Sequence, residues 1–250
     1  MALRVKALTF DIFGTTVNWR SSINTALTKS LSSIPGTEHL DIHKFAQEWR
    51  DSYIQFTRGF VPGVTEYKSI DEHHLESLEA LLRRYEVSLG EGEGEGEVER
   101  LSREWHNLEP WADTVKGIER LNTKYTTAML SNGNIELLDD LEEFGKLGFK
   151  ERISAGEFGA YADMADKPWE GVYRGACKRL GVKEEETAMV AAHLGDLEAA
   201  RKLGMRTIFV QRPGEENLTE ERVAEAKKWV DIWISEDEGG FEELATRLGV

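Results

Sequence analysis

Four clusters of polar residues each follow a short apolar run, and each contains side chains that can act on a substrate. They are Asp11-Ile12-Phe13-Gly14-Thr15, Ser131-Asn132-Gly133-Asn134, Lys167-Pro168 and His193-Leu194-Gly195-Asp196. Side chains at the carboxyl ends of parallel strands face a common crevice in open α/β sheets. We therefore expect the clusters to converge on one site, in which the Asp11 carboxylate is a candidate covalent nucleophile.

The elements that would position these clusters are indicated by hydrophobic periodicity. A first strand is predicted at 5–10, ending directly on Asp11. Further strands, each followed by a helical pattern, are predicted at 126–130, 152–154, 187–191, 206–210 and 231–234. Strands that alternate with helices indicate βα units and a parallel sheet.

A helical block separates the first strand from the others. Residues 41–58 and 71–86 have apolar side chains at three-and-four spacing, which is typical of amphipathic helices. His73 and His74 are predicted to lie on the surface of the second of these helices. The acidic, glycine-rich run 91–97 is predicted to be a solvated loop.

Composition excludes several classes of partner. The net charge of −15, with no basic stretch to offset it, argues against nucleic acid and against anionic membrane surfaces. No apolar stretch is long enough to predict a membrane span, and no leader is recognised. The single cysteine, Cys177, permits no internal disulfide, which suits a reducing compartment and predicts a cytoplasmic location.

Together the four clusters resemble the four motifs of the haloacid dehalogenase superfamily. The resemblance implies an α/β fold, with a Rossmann-like parallel-sheet core formed by 1–15 and 106–250. It also implies an inserted helical cap domain formed by 16–105. The sequence leaves the oligomeric state open, and a homodimer is one alternative.

Residue 13 separates two branches of that superfamily. Phosphatases of the superfamily carry a second Asp two residues after the nucleophile, where it protonates the leaving alcohol. Phe13 cannot transfer a proton, and a departing halide needs none. The form Asp-x-Phe-Gly-Thr resembles the L-2-haloacid dehalogenase branch. The resemblance implies hydrolysis of small 2-haloacids to 2-hydroxyacids through an aspartyl ester on Asp11, with no metal or other cofactor.

The same resemblance implies roles for residues around the nucleophile. Thr15 would hold the Asp11 carboxylate, Lys167 would lie beside it, and Asp196 would be within salt-bridge reach of the lysine. Arg50, on the predicted helix 41–58, would receive the departing halide, as suits a guanidinium in a dry site.

Four further residues complete the predicted site. Ser131, Asn132 and Tyr173 would hold the substrate, mainly through its carboxylate, and Phe13 would belong to the apolar wall of the pocket. The fourth motif departs from the usual Ser-x-Asn-x-x-Asp pattern, because Ala191 and His193 stand at the first two of these positions. His193 is therefore a candidate to position or deprotonate the hydrolytic water.

Two other interpretations stay open at this point. A Mg²⁺-dependent phosphatase would use Asp11 and Asp196, and Phe13 counts against it. A non-catalytic member of the superfamily would keep the fold as a binding module, and Ala191 is its best support.

Overall fold

A computed structural model of the chain describes residues 3–32, 34–61, 63–89, 95–159, 161–162 and 169–250. Its strands are β1 (Ala7–Phe10), β2 (Thr126–Ser131), β3 (Glu151–Ser154), β4 (Thr187–Ala191), β5 (Arg206–Val210) and β6 (Ile232–Ile234). They form one six-stranded parallel sheet in the order β3-β2-β1-β4-β5-β6. The predicted α/β class and parallel sheet are confirmed.

Helices connect the strands and cover the sheet. They are α1 (Trp19–Leu31), α2 (Ile42–Gly59), α3 (Ile70–Arg84), α4 (Glu95–Ser102), α5 (Thr114–Leu121), α6 (Ile135–Gly145), α7 (Trp169–Arg179), α8 (Leu194–Lys202), α9 (Glu220–Ala226) and α10 (Gly240–Arg247). Every residue of β1 and β4 is buried, as expected for central strands covered on both faces. Within the described residues, every helix is too short or too polar to cross a membrane.

The segment from α1 to α4 is the helical block that the sequence predicts between β1 and β2. Asp41 begins α2 by accepting a hydrogen bond from Lys44 N (3.0 Å), and Ser69 begins α3 with a reciprocal capping box. The indole of Trp49 on α2 donates to the backbone oxygen of His74 on α3 (3.1 Å). The division into a core of 1–15 and 106–250 and a cap of 16–105 stays a prediction.

Two local predictions in this block are wrong. The acidic run is helical from Glu95, where α4 begins, while 91–94 lie outside the described residues. His74 is buried rather than on the surface, because its ring stacks on Trp105 with centroids 4.4 Å apart. His73 is half-buried and stacks on Phe56 at 4.3 Å, and burial together with the Lys68 charge lowers its pKa to about 4.

His106 links the helical block to the helices of the sheet. It is buried, with Nε2 2.9 Å from Asp71 Oδ1 on α3 and Nδ1 2.7 Å from Asp140 Oδ2 on α6. Burial opposes the charged ring, but hydrogen bonds to both carboxylates outweigh it and raise the pKa of His106 above 6.5. The pKa of Asp71 is lowered, because hydrogen bonds from His106 and Asn134 outweigh burial.

We expect His106→Asn to reduce the free energy of unfolding by about 1–2 kcal/mol at pH 6 and by less at pH 9. The folded-state pKa of His106 lies above its unfolded value, so this stabilisation is complete below pH 6.5 and is lost as the pH rises through the folded-state pKa. Urea unfolding at both pH values measures it, with His43→Asn, at an exposed position of α2, as the control. An equal loss at both pH values would mean that His106 acts by packing alone.

Candidate active site

The carboxyl end of β1 lies at the centre of the sheet edge where the predicted site residues gather. Phe10 pairs with Met129 of β2 on one side and Val190 of β4 on the other. The next residue, Asp11, donates its backbone N–H to Val190 O (3.0 Å). Its carboxylate therefore stands between the ends of β2 and β4, at the crevice of the sheet.

A short hydrogen-bond chain holds the Asp11 carboxylate. The hydroxyl of Thr15, which is buried, donates to Asp11 Oδ2 (2.5 Å) and accepts from Ala192 N (2.8 Å). Thr16 donates its hydroxyl to the backbone oxygen of Asp11 (2.7 Å). The left-handed φ of Gly14 (+87°) gives the turn that brings Thr15 back to the carboxylate. Asp11 is thus held in one orientation by the loop that follows it.

His193 and Asp196 reach the same carboxylate from the end of β4. His193 Nδ1 lies 3.1 Å from Asp11 Oδ2 and 3.8 Å from Asp196 Oδ2, and its Nε2 lies 3.3 Å from Glu215 Oε2. Burial disfavours the charged ring, but hydrogen bonds to Asp11 and Glu215, with the Asp11 and Asp196 charges, raise the pKa of His193 well above 6.5. The free site therefore holds an imidazolium among carboxylates at neutral pH.

Asp11, His193 and Asp196 can offer ligand atoms that all lie within 4.8 Å of one another. Mg²⁺ prefers oxygen ligands in octahedral geometry. Here one of the three donors is a ring nitrogen, and that nitrogen is hydrogen-bonded to Asp11. This donor set does not fit the magnesium site of a phosphatase.

Ser131 and Asn132 lie at the end of β2, beside β1. Both are buried. Ser131 Oγ accepts from Gly133 N (3.2 Å), and Asn132 Oδ1 accepts from Ala162 N (2.6 Å). Tyr173, on α7, is fully buried and its hydroxyl is 3.5 Å from Oδ1 of Asp196. Lys167 lies outside the described residues, so its predicted position beside Asp11 is not tested.

Arg50 lies inside a set of aromatic rings that we call the aromatic box, formed by Phe13, Trp19, Tyr53 and Trp105. Its guanidinium carbon is 5.4 Å from the ring centroid of Phe13, 5.6 Å from that of Trp19 and 4.5 Å from that of Tyr53. Trp105 completes the box, 6.0 Å from Phe13 and 5.9 Å from Trp19 between ring centroids.

The aromatic box contains nitrogen groups without acceptors. Arg50 is only 6% exposed, and no carboxylate of the described residues lies within ion-pair distance of it. Its Nη1 and the indole Nε1 atoms of Trp19 and Trp105 are buried without a hydrogen-bond partner in the described part of the chain. A buried cation with unpaired N–H groups, surrounded by ring faces, is suited to a small anion.

Glu215 and the aromatic surroundings of Arg50 are not predicted from the sequence. Glu215 follows β5, the neighbour of β4, so only its place after a predicted strand could have indicated it. Trp19 begins α1 and Trp105 follows α4, and the two rings meet only in the folded chain. The geometry thus brings together Asp11, Thr15, His193 and Asp196, and places Phe13 with Arg50 in the aromatic box.

Comparison with known proteins shows the family of the chain. A family model described as haloacid dehalogenase-like hydrolase matches residues 5–204. The (S)-2-haloacid dehalogenase 1 of Pseudomonas sp. (strain CBS-3) is 28% identical over 216 residues, covering 83% of this chain and 85% of that protein.

Two solved structures match nearly the whole chain. The L-2-haloacid dehalogenase PA0810 is 32% identical, with a TM-score of 0.82 and 98% of both chains covered. The defluorinating L-2-haloacid dehalogenase Rha0230 is 31% identical, also with a TM-score of 0.82, covering 98% of this chain and 96% of that one. This protein belongs to the haloacid dehalogenase-like hydrolases, in the branch of the L-2-haloacid dehalogenases.

Proposed function

We propose that this protein hydrolyses small 2-haloacids to 2-hydroxyacids through an ester on Asp11. The observation that carries the proposal is the aromatic box. Phe13 occupies the position of the phosphatase acid, and its ring packs toward the buried guanidinium of Arg50. That arrangement offers a leaving group an anion site and no proton, which suits a halide and not an alkoxide.

In the first step an oxygen of Asp11 attacks the carbon that bears the halogen. The carbon–oxygen bond forms as the carbon–halogen bond breaks, and the bonding electron pair leaves with the halide toward Arg50. Backside attack inverts the configuration at that carbon. The Thr15 hydroxyl, 2.5 Å from Oδ2, keeps the carboxylate in its orientation for attack.

In the second step water attacks the carbonyl carbon of the Asp11 ester. His193 is the group placed to handle this water, because its Nδ1 is 3.1 Å from Asp11 Oδ2. Asp196, 3.8 Å from the same nitrogen, adds negative charge beside the ring. The 2-hydroxyacid then departs and the Asp11 carboxylate is restored.

The substrate carboxylate would be held by residues at the end of β2 and on α7. Ser131 and Asn132 are buried at the sheet edge next to Asp11, and Tyr173 reaches Asp196 from the other side. Lys167 supplies the positive charge in this proposal, on the resemblance of its motif alone. We also propose a cytoplasmic location, in keeping with the buried free thiol of Cys177, and leave a homodimer as a prediction.

Halide release tests the function directly. We expect the wild-type enzyme to release halide from the L enantiomers of 2-chloro- and 2-bromopropionate, and EDTA to leave the rate unchanged. Fluoroacetate belongs in the panel because one structural relative is a defluorinating enzyme. Release of phosphate from p-nitrophenyl phosphate only with Mg²⁺, without halide release from any acid, would instead support the phosphatase interpretation.

A further inference from the structure

The loop after β5 places a second carboxylate against His193. Glu215 Oε2 lies 3.3 Å from His193 Nε2, and the Glu215 side chain is only 5% exposed. The ring of His193 therefore lies between two carboxylates, with Nδ1 toward Asp11 and Nε2 toward Glu215. Glu215 has no part in the two steps described above.

The loop after β1, which carries Asp11, lies against the loop after β5, which we call the Glu215 loop. A Cβ added at Gly14 would lie 2.0 Å from Glu215 Oε2, so the glycine also makes room for this carboxylate. Arg212 donates Nε to Thr15 O (2.9 Å) and both terminal nitrogens to the Asp113 carboxylate (2.7 and 2.8 Å). These contacts hold the start of the Glu215 loop against the loop that carries Asp11.

We propose that Glu215 is a positioning residue for ester hydrolysis, which accepts the Nε2–H of His193 and thereby directs Nδ1 toward the Asp11 carboxyl. The inference rests on the proposed function, since it concerns the second step of that reaction. A neutral imidazole has one N–H and one lone pair. With the N–H committed to Glu215, the lone pair is on Nδ1, where the hydrolytic water must lie.

The charge on Asp11 controls when Nδ1 can accept a proton. In the free enzyme Nδ1 of His193 donates to Asp11. The carboxylates of Asp11, Asp196 and Glu215 favour the protonated ring. Glu216, which accepts a hydrogen bond from Leu194 N, adds a smaller effect through its charge. Ester formation removes the Asp11 charge, so the pKa of His193 falls and the Nδ1 proton passes to solvent. The His193 ring is therefore a base while Asp11 carries the ester and an acid in the free enzyme.

Protons balance over one catalytic cycle. Nδ1 takes a proton from water as the water oxygen bonds to the ester carbonyl carbon. The bond to the departing alkoxide then breaks, and the alkoxide takes the remaining hydroxyl proton of the intermediate. The enzyme returns to an Asp11 carboxylate and a His193 imidazolium, and the proton lost to solvent in the first half is the net acid produced.

The experiment compares Glu215→Gln with Glu216→Gln, using L-2-bromopropionate and rapid quench. Glu216 is a matched control, because its carboxylate accepts from Leu194 N (3.1 Å) and an amide oxygen can do the same. At Glu215 the partner is a ring nitrogen that can donate or accept, so the amide of Glu215→Gln can present either its oxygen or its NH2 and no longer fixes the tautomer of His193. We expect Glu215→Gln to lower kcat by about 10–100-fold while keeping a halide burst of one per site, with Asp11 accumulating the ester by mass spectrometry. Glu216→Gln should behave as wild type. A wild-type kcat in Glu215→Gln, or a halide burst slowed as much as kcat, would overturn the proposal.

A second readout does not depend on turnover. Titration by ¹⁵N NMR, with His193 assigned from the signals missing in His193→Asn, should show the His193 pKa lowered by about one unit or more in Glu215→Gln. The shift should be much smaller in Glu216→Gln, because Glu216 acts on the ring through its charge and Glu215 also through a hydrogen bond. An unchanged His193 pKa in Glu215→Gln overturns the positioning role. Failure of the proposed function would differ from this result, because the wild-type enzyme would then release no halide from any acid of the panel.

Discussion

Asp11→Asn should lower halide release by about 10⁴-fold or more, because an amide cannot displace a halide as a carboxylate does. The fold should persist, since the amide oxygen can still accept from the Thr15 hydroxyl and the backbone contacts of Asp11 are unchanged. Halide release measures the effect, and thermal unfolding checks the fold. Asp41→Asn is the control, because it makes the same chemical change at the N-terminus of α2, where asparagine also caps a helix.

Labelled water distinguishes covalent catalysis from direct attack by water. In a single turnover in ¹⁸O-water, the first product should be unlabelled, because its new hydroxyl oxygen comes from Asp11. Label should reach the product only in later cycles, after water has exchanged an oxygen into the carboxylate. Full labelling in the first turnover would remove Asp11 as the nucleophile and make water the attacking group.

Arg50→Met should lower the activity of the enzyme and raise the stability of its fold. Without the guanidinium the departing halide has no cation in the aromatic box, and we expect kcat/KM for 2-haloacids to fall by about 10²–10³-fold. Arg50 is buried among rings with no carboxylate of the described residues within ion-pair distance, so removing its charge relieves a desolvation cost. The lost cation–π contacts offset part of this, and we expect the free energy of unfolding to rise by about 1 kcal/mol.

Steady-state kinetics and urea unfolding of the same preparations test both expectations. Arg58→Met, at an exposed position in the last turn of α2, is the control and should change neither kcat/KM nor halide inhibition appreciably. Bromide should inhibit the wild-type enzyme as a product and should lose this effect in Arg50→Met. If activity and stability fell together in Arg50→Met, the guanidinium would be a structural group of the box.

The polar clusters and the alternation of strands and helices could be predicted because both depend on local sequence. Apolar runs 126–130, 187–191 and 206–210 became β2, β4 and β5 with nearly the predicted bounds. Parallel strands must end at the same edge of their sheet, so Asp11, Ser131 and His193 had to approach one another. The structure of the acidic run could not be predicted locally, because like charges and glycine favour a loop. Contacts of α4 with α3 and α1 stabilise the helix from Glu95.

The depth at which polar side chains lie could not be predicted from the helix pattern. His74 belongs to the acidic amphipathic helix α3. It is buried because Trp105, which follows α4 in the chain, covers its ring. Arg50 has the acidic residues Glu48 and Asp51 as neighbours in sequence. In the folded chain its guanidinium faces Phe13, Trp19 and Tyr53 instead.

The class of the fold, the strand ends that carry chemistry and the absence of an acid at position 13 follow from residue type and local spacing, so they can be predicted from the sequence. Which side chains touch depends on the tertiary structure. The strand order β1-β4-β5 brings Glu215 to His193 across 22 residues of chain. Contacts of Tyr53 and Trp105 with Phe13, in the loop after β1, close the aromatic box around Arg50. Contacts between distant segments depend on how whole elements pack, and no local pattern of residues records that.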